Sequence, residues 1–299
     1  MDADRLGAHH ATMFGKRALP FGSVLGSIVS VQIGAALAKG LFPIVGAQGA
    51  VTMRVSLAAL ILLTIWRPWR KPLDRRTALT IAGFGLALGT MNLTFYMALR
   101  TVPLGVAVAI EFIGPLTVAV LESRRPLDFA WAGLAAAGVL ALSPINPAAV
   151  HVDALGVGLA LIAGVCWGLY IVLGQRAGGG DRGQVASIAM TIAALVAAPW
   201  GLPTVLAHLS PAVLAAGLGV AILSSALPYS LELFAMSRLP ARTFSILMSL
   251  EPAMAALAGF VVLGERLNPW QLGAIAAVMA ASAGSAATTP AVIAEPAPN

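Results

Sequence analysis

The sequence predicts an all-α fold: a polytopic membrane protein with ten transmembrane helices arranged as two inverted five-helix repeats. Three observations predict it. Of 299 residues, 59% are hydrophobic and 10% charged, against roughly half and a quarter in soluble domains. The chain divides into ten apolar runs of about 17–25 residues, the length a helix needs to cross a bilayer. A third signal is a run that recurs half a chain later. Residues 102–128, VPLGVAVAIEFIGPLTVAVLESRRPLD, carry Pro103, Pro115 and one interior carboxylate, Glu111. Residues 239–269 carry Pro240 and Pro252 at the same separation, with Glu251 between them.

In chain order, residues 1–20 are polar and hold His9, His10, Lys16 and Arg17; they read as a cytoplasmic lead. The first span, 21–41, contains Ala36-Leu37-Ala38, which resembles a signal-peptidase site. Its apolar stretch is too long for a signal peptide, so it is expected to remain as a span. The others fall at 46–66, 77–98, 103–121, 128–144, 153–174, 184–203, 211–235, 240–263 and 268–288. The tail, 289–299, is rich in Ala and Pro and is expected to be disordered.

Ten spans put both termini on one side, and the basic residues choose the side. Arg5, Lys16 and Arg17 lie in the lead, and Arg67, Arg70, Lys71, Arg75 and Arg76 between the second and third spans. Arg124, Arg125, Arg176, Arg182, Arg238 and Arg242 flank later connections on that same side. The opposite face has Lys39, Arg100 and Arg266, while Arg54 lies inside a span. The positive-inside rule places both termini in the cytoplasm. A net charge of +6 thus reflects membrane orientation, not a nucleic-acid partner. The lone Cys166 excludes an internal disulfide and reads as a packing residue.

The repeat extends beyond its proline segments. Gly34 matches Gly168, and Ala58-Ala59-Leu60 matches Ala193-Ala194-Leu195; Phe95-Tyr96-Met97-Ala98 aligns less closely with Glu232-Leu233-Phe234-Ala235. The two repeats are 21–145 and 153–288. Five spans each is an odd number, so the second repeat enters from the opposite face. Interrupted segments at corresponding places in two such halves are a pointer to a transporter's binding site.

The polar residues inside spans are the candidate site. At about 1.5 Å per residue, Glu111 lies ~12 Å below the outer end of its span and Glu251 ~16 Å above the inner end of its own. In a hydrocarbon core of about 30 Å both fall near the midplane, where an ionisable side chain is a functional hypothesis by default. Each reads as a proton or substrate-ammonium site, or as a structural carboxylate paired with a neighbouring helix. Arg54, at a depth similar to Glu111, would hold a substrate carboxylate through a bidentate contact or pair with Glu111. Lys39 at the outer end and Glu232 near the inner end are candidate gate residues, with Lys39 also free to snorkel to the interface. Gln32, Asn92, Tyr96, Trp167 and Tyr229 would supply hydrogen bonds or an aromatic wall for an ammonium group, or serve as helix–helix contacts.

The sequence has no GxxxxGK[ST] run for a nucleotide and no HExxH pair for a metal, and its four histidines lie in the lead or in connections. No metal and no cofactor is expected. Gly178-Gly179-Gly180 follows no strand and reads as a turn.

Several runs carry a family resemblance: Ala36-Leu37-Ala38-Lys39 with Phe42-Pro43, TVPLGVAVA at 101–109, Glu111-Phe112 with Gly114-Pro115, and SRRPLD at 123–128. GQRAG at 174–178, AILSSALPYSLE at 221–232 and RTFSILMSLEP at 242–252 extend it. Across about 20–288 the chain resembles the EamA family of the drug/metabolite transporter superfamily. The resemblance implies ten helices in two repeats and export of small amino acids, threonine or homoserine first, driven by an ion gradient in the bacterial inner membrane. The expected partners are that substrate, protons and the lipid bilayer, with no nucleic acid; the sequence assigns no oligomeric state. In this reading Glu111 and Glu251 exchange proton and ammonium, Arg54 holds the carboxylate, and one repeat rocks against the other. The competing readings are the same fold carrying a purine, a drug or an aromatic amino acid, a channel, and a membrane-embedded enzyme.

Overall fold

The structure is a computed structural model that describes residues 3–121, 126–142, 153–177, 182–228, 231, 235 and 247–288. Among the described residues the chain is helical with no strand, and each of the ten apolar runs contains helix. The helices are α1 (Ala3–Gly40), α2 (Phe42–Trp66), α3 (Arg75–Ala98), α4 (Leu104–Glu111), α5 (Ile113–Leu121), α6 (Pro126–Leu142) and α7 (Ala154–Ala177). They continue with α8 (Arg182–Ala207), α9 (Pro211–Ala221), α10 (Glu251–Leu263) and α11 (Pro269–Thr288). A π-helical turn, Ile222–Ala226, follows α9.

Among the described residues, five helical segments are long and apolar enough to cross a membrane: Leu19–Gly40, Phe42–Arg70, Arg75–Ala98, Ala154–Gly174 and Gly183–Ala207. Shorter apolar helices occur at Leu104–Val118, Phe129–Ala141, Pro211–Ala226 and Glu251–Leu263. The sequence predicts one continuous fourth span; the structure breaks it into α4 and α5 at Phe112. The physical reason is Pro115, which has no N–H to give the Glu111 carbonyl. The expected lead, 3–20, begins α1 and is helical, with Pro20 accommodated inside that helix.

Local chemistry sets several ends. Asp74 accepts from Thr77 N at 3.0 Å and caps α3, and hydrogen bonding by Thr77, through its side chain first and its backbone N–H second, holds its carboxyl below the usual carboxylate range. Ser210 caps α9 through Val213 N at 3.2 Å, with Pro211 at the first helical position. Asn268 and Gln271 exchange side-chain bonds to each other's backbone N–H at the start of α11, a reciprocal capping box. α10 ends at Gly264 in the left-handed region (φ 68°). There Glu265 N donates to the Gly259 carbonyl at 3.0 Å and Gly264 N to that of Phe260 at 3.2 Å, a C-terminal motif that fixes where Glu265 points.

Helices of the first half pack on those of the second: α2 on α8, α3 on α7 and α8, α4 on α10 and α7, α6 on α11, and α1 on α10 and the π turn. The core is built from small and branched residues such as Ala36, Val51, Ala107 and Ala193. Large apolar side chains, among them Leu60, Leu140, Val165, Leu195 and Phe260, point outward. Large apolar side chains outside and small residues in the core suit a lipid surround, in which close packing and interior hydrogen bonds hold helices together. The chain is a multi-pass membrane protein.

Candidate functional site

Glu111 is the last residue of α4 and Glu251 the first of α10, so both expected carboxylates stand at helix breaks shortly before a proline, Pro115 and Pro252. Both are buried. Their two helices pack against each other, and Glu111 feels the charges of Glu251 and of Arg54. The Glu111 carbonyl lies against α7, where only a glycine fits: a Cβ on Gly164 would stand 2.7 Å from that oxygen.

Glu251 is met by α1. Gln32 Nε2 donates to Glu251 Oε1 at 3.3 Å, which joins the first span to the ninth. Gln32 is 2% exposed, and its own Oε1 has no hydrogen-bond partner among the described residues.

Arg54 does not pair with a carboxylate among the described residues. Its Nη2 donates to the Ser224 carbonyl at 3.0 Å, its Nη1 to the Tyr96 hydroxyl at 3.4 Å and its Nε to Ser225 Oγ at 3.5 Å. The guanidinium carbon also sits 5.5 Å from the centre of the Tyr96 ring. Two of the acceptors belong to the π turn, where i→i+5 bonding interrupts the α-helical ladder. Ser224 O serves Arg54, and Leu223 O accepts from Ser30 Oγ at 2.7 Å. A side chain on Gly34 of α1 would fall on Ser224, so that glycine lets the turn approach.

At the C-terminal end of the first span Lys39 forms an ion pair with Glu265 at 2.5 Å and donates to the Val102 carbonyl at 3.3 Å. Glu265 Oε2 accepts from Leu104 N, the first N–H of α4, at 2.9 Å. Lys39 is therefore anchored to protein, and simple snorkelling does not describe it.

The remaining candidates separate. Tyr96 is fully buried beside Arg54. Trp167 meets Phe112 edge-on at 5.2 Å, next to Glu111. Asn92 is turned to its own helix, donating to the Leu88 carbonyl at 2.9 Å, a structural bond. Tyr229 and Glu232 lie outside the described residues. Sequence reasoning missed Ser224, Ser225 and Glu265. A Ser-Ser pair inside an apolar span, and an acid on the same face as Lys39, were the available signals. A groove of about 650 Å³ lined by Ala256, Phe260, Leu272 and Met279 with Glu265 and Arg266 lies between α10 and α11 and does not include the carboxylate cluster.

Chemically, the cluster offers two carboxylates, one guanidinium and neutral hydrogen-bonding groups in an apolar surround. That set complements a small zwitterion. A metal is not suggested: among the described residues no group of three metal-ligating side chains occurs.

Comparison with known proteins shows the family. The model of the EamA-like transporter family matches residues 154–286. The chain is 49% identical over 273 residues to the threonine/homoserine exporter RhtA of Escherichia coli K12, covering 90% of this chain and 92% of that protein. It is 48% identical, over the same shares, to the protein of that name in Salmonella typhimurium. A crystal structure at 19% identity aligns over 89% of this chain and 95% of its own, with a TM-score of 0.54, and so shares the fold.

Proposed function

The chain belongs to the EamA-like transporter family, and from that premise we propose that it exports small amino acids of the threonine and homoserine class in exchange for protons. The observation that carries this reading is the identity of 48–49% over 90% of the chain with threonine/homoserine exporters. It is a transporter and not an enzyme. Its place is the bacterial inner membrane, with both termini in the cytoplasm, as the distribution of basic residues favours.

The mechanism is alternating access by two inverted repeats, 21–145 and 153–288. The pairing of α2 with α8, α4 with α10 and α6 with α11 supports a two-fold relation, since each pair joins corresponding spans of the two halves. The breaks at Phe112 and before Glu251 are where α4 and α10 bend. Arg54 binds the substrate carboxylate. Among the described residues three of its five donors are engaged, by Tyr96, Ser224 and Ser225, which leaves one on each terminal nitrogen there for a carboxylate. Glu111 takes the substrate ammonium, with Trp167 on its wall. Glu251 carries the proton, and Gln32 orients it. Lys39 and Glu265 close the outer side by tying the first span to the start of α4; Glu232 serves the inner side.

Counterflow in proteoliposomes tests the function. Purified protein in vesicles loaded with threonine should accumulate labelled threonine or homoserine, saturably, and an inward proton gradient should drive uphill export. Accumulation of neither amino acid would refute the substrate class, and flux that never saturates would point to a channel.

A further inference from the structure

The orientation of Gln32 is dictated by its neighbour. While Glu251 is ionised its Oε1 can only accept, so in that state the amide nitrogen of Gln32 faces it, at 3.3 Å. The amide oxygen then points away from the carboxylate. It is buried, and it has no partner among the described residues. A buried acceptor without a donor is unfavourable, and each one in a native protein calls for a reason. In a transporter the reason at hand is a substrate group that completes the bond.

The chemistry of an amino acid sorts itself over this cluster. Its carboxylate goes to the Arg54 fork and its ammonium to the buried carboxylates, because unpaired charges in an apolar site are far more costly than unpaired neutral groups. The neutral acceptor is left for a neutral donor. Among small amino acids that donor is a side-chain hydroxyl, and threonine and homoserine share one while differing in where the carbon chain places it.

We propose that Gln32 Oε1 accepts the hydrogen of the substrate's side-chain hydroxyl, making Gln32 the residue that selects hydroxylated amino acids over their deoxy counterparts. The proposal rests on the export reading given above and deepens it. Gln32 would then bridge substrate and Glu251 with its two ends, so a hydroxylated substrate completes the bonding of Gln32 and an aliphatic one leaves its oxygen unpaired. A site that hydrogen-bonds a substrate hydroxyl rejects the analogue lacking it more strongly than an apolar pocket rejects one extra methylene.

The test compares threonine with 2-aminobutyrate, which has hydrogen in place of the hydroxyl, as competitors of labelled homoserine counterflow in proteoliposomes. In the wild-type protein threonine should compete at concentrations roughly 10- to 100-fold lower, the discrimination of one hydrogen bond to a buried acceptor. Gln32→Leu, of similar volume, should bring the two competitors together. Where that variant carries no flux, the ligand-induced rise in melting temperature of the purified variant gives the same ratio. Equal competition in the wild type, or an unchanged ratio in Gln32→Leu, would overturn the role of Gln32. Absence of homoserine and threonine counterflow in the wild type would instead refute the export reading, and this proposal with it.

Discussion

Lys39 and Glu265, 226 positions apart in the sequence, meet at 2.5 Å, and the second oxygen of the same carboxylate accepts the leading N–H of α4 at 2.9 Å. One acid thus joins the end of the first span to the helix that carries Glu111. In the proposed mechanism this joint closes the outer side and opens with it. Glu265→Gln or Lys39→Gln should raise external thiol labelling of a cysteine at Ala38, placed in a Cys166→Ser background. Each loses a charged hydrogen bond of about 1.5–3 kcal/mol. The exchange Lys39→Glu with Glu265→Lys should return labelling toward the parent level. If the exchange labels like the single variants, the ion pair does not close that face.

Arg54 provides a second expectation. Lysine keeps the charge and loses the planar fork, so Arg54→Lys should raise the apparent KM for threonine about tenfold or more. Decarboxylated amine analogues should suffer little further loss in that variant. Equal losses for parent and analogue would make Arg54 only a tether between α2, Tyr96 and the π turn.

The two carboxylates are expected to differ. Glu111→Gln should lose both proton-driven export and substrate-for-substrate exchange, because the ammonium contact is gone. Glu251→Gln should keep exchange, which moves no net proton, and lose uphill export. Inserted Glu251→Gln protein that still exports uphill at the parent rate would remove Glu251 as the proton carrier.

Packing behind Glu111 can be tested without touching a polar group. Gly164→Ala puts a Cβ 2.7 Å from the Glu111 carbonyl and 3.3 Å from its Cα, so α4 or α7 must shift. The expected loss is about 1–3 kcal/mol, as for overpacked cores, with export reduced. Gly158→Ala on the same helix meets nothing within 4 Å and should leave both melting temperature and export near the parent values.

Orientation has its own measurement. Reporters fused after residue 288, or inserted between 66 and 77, should report the cytoplasm, and those within 145–152 the periplasm. A periplasmic C-terminal reporter would contradict the inverted arrangement of the repeats.

Much was legible before any coordinate, because a bilayer imposes one rule on every residue it covers. Apolar length, the scarcity of charge and the two proline segments pointed to helices, and burial cost pointed to Glu111, Glu251 and Arg54. Asn92 was read as a candidate on the same rule, and its amide nitrogen donates to the Leu88 carbonyl of its own helix, a direction that sequence depth does not give.

By itself the sequence determined that the chain is a helical membrane protein and which ionisable groups lie within its apolar runs. Those properties follow from composition and spacing along one strand of chain, with solvent supplying the other partner. Only the tertiary structure decided the pairings: Gln32 with Glu251, Arg54 with Ser224, Ser225 and Tyr96, and Lys39 with Glu265. Each joins residues 42 to 226 positions apart, and hydrogen bonds over such separations depend on helix crossing and rotation. Those are set by where small residues such as Gly34 and Gly164 let backbones approach, which no single segment encodes.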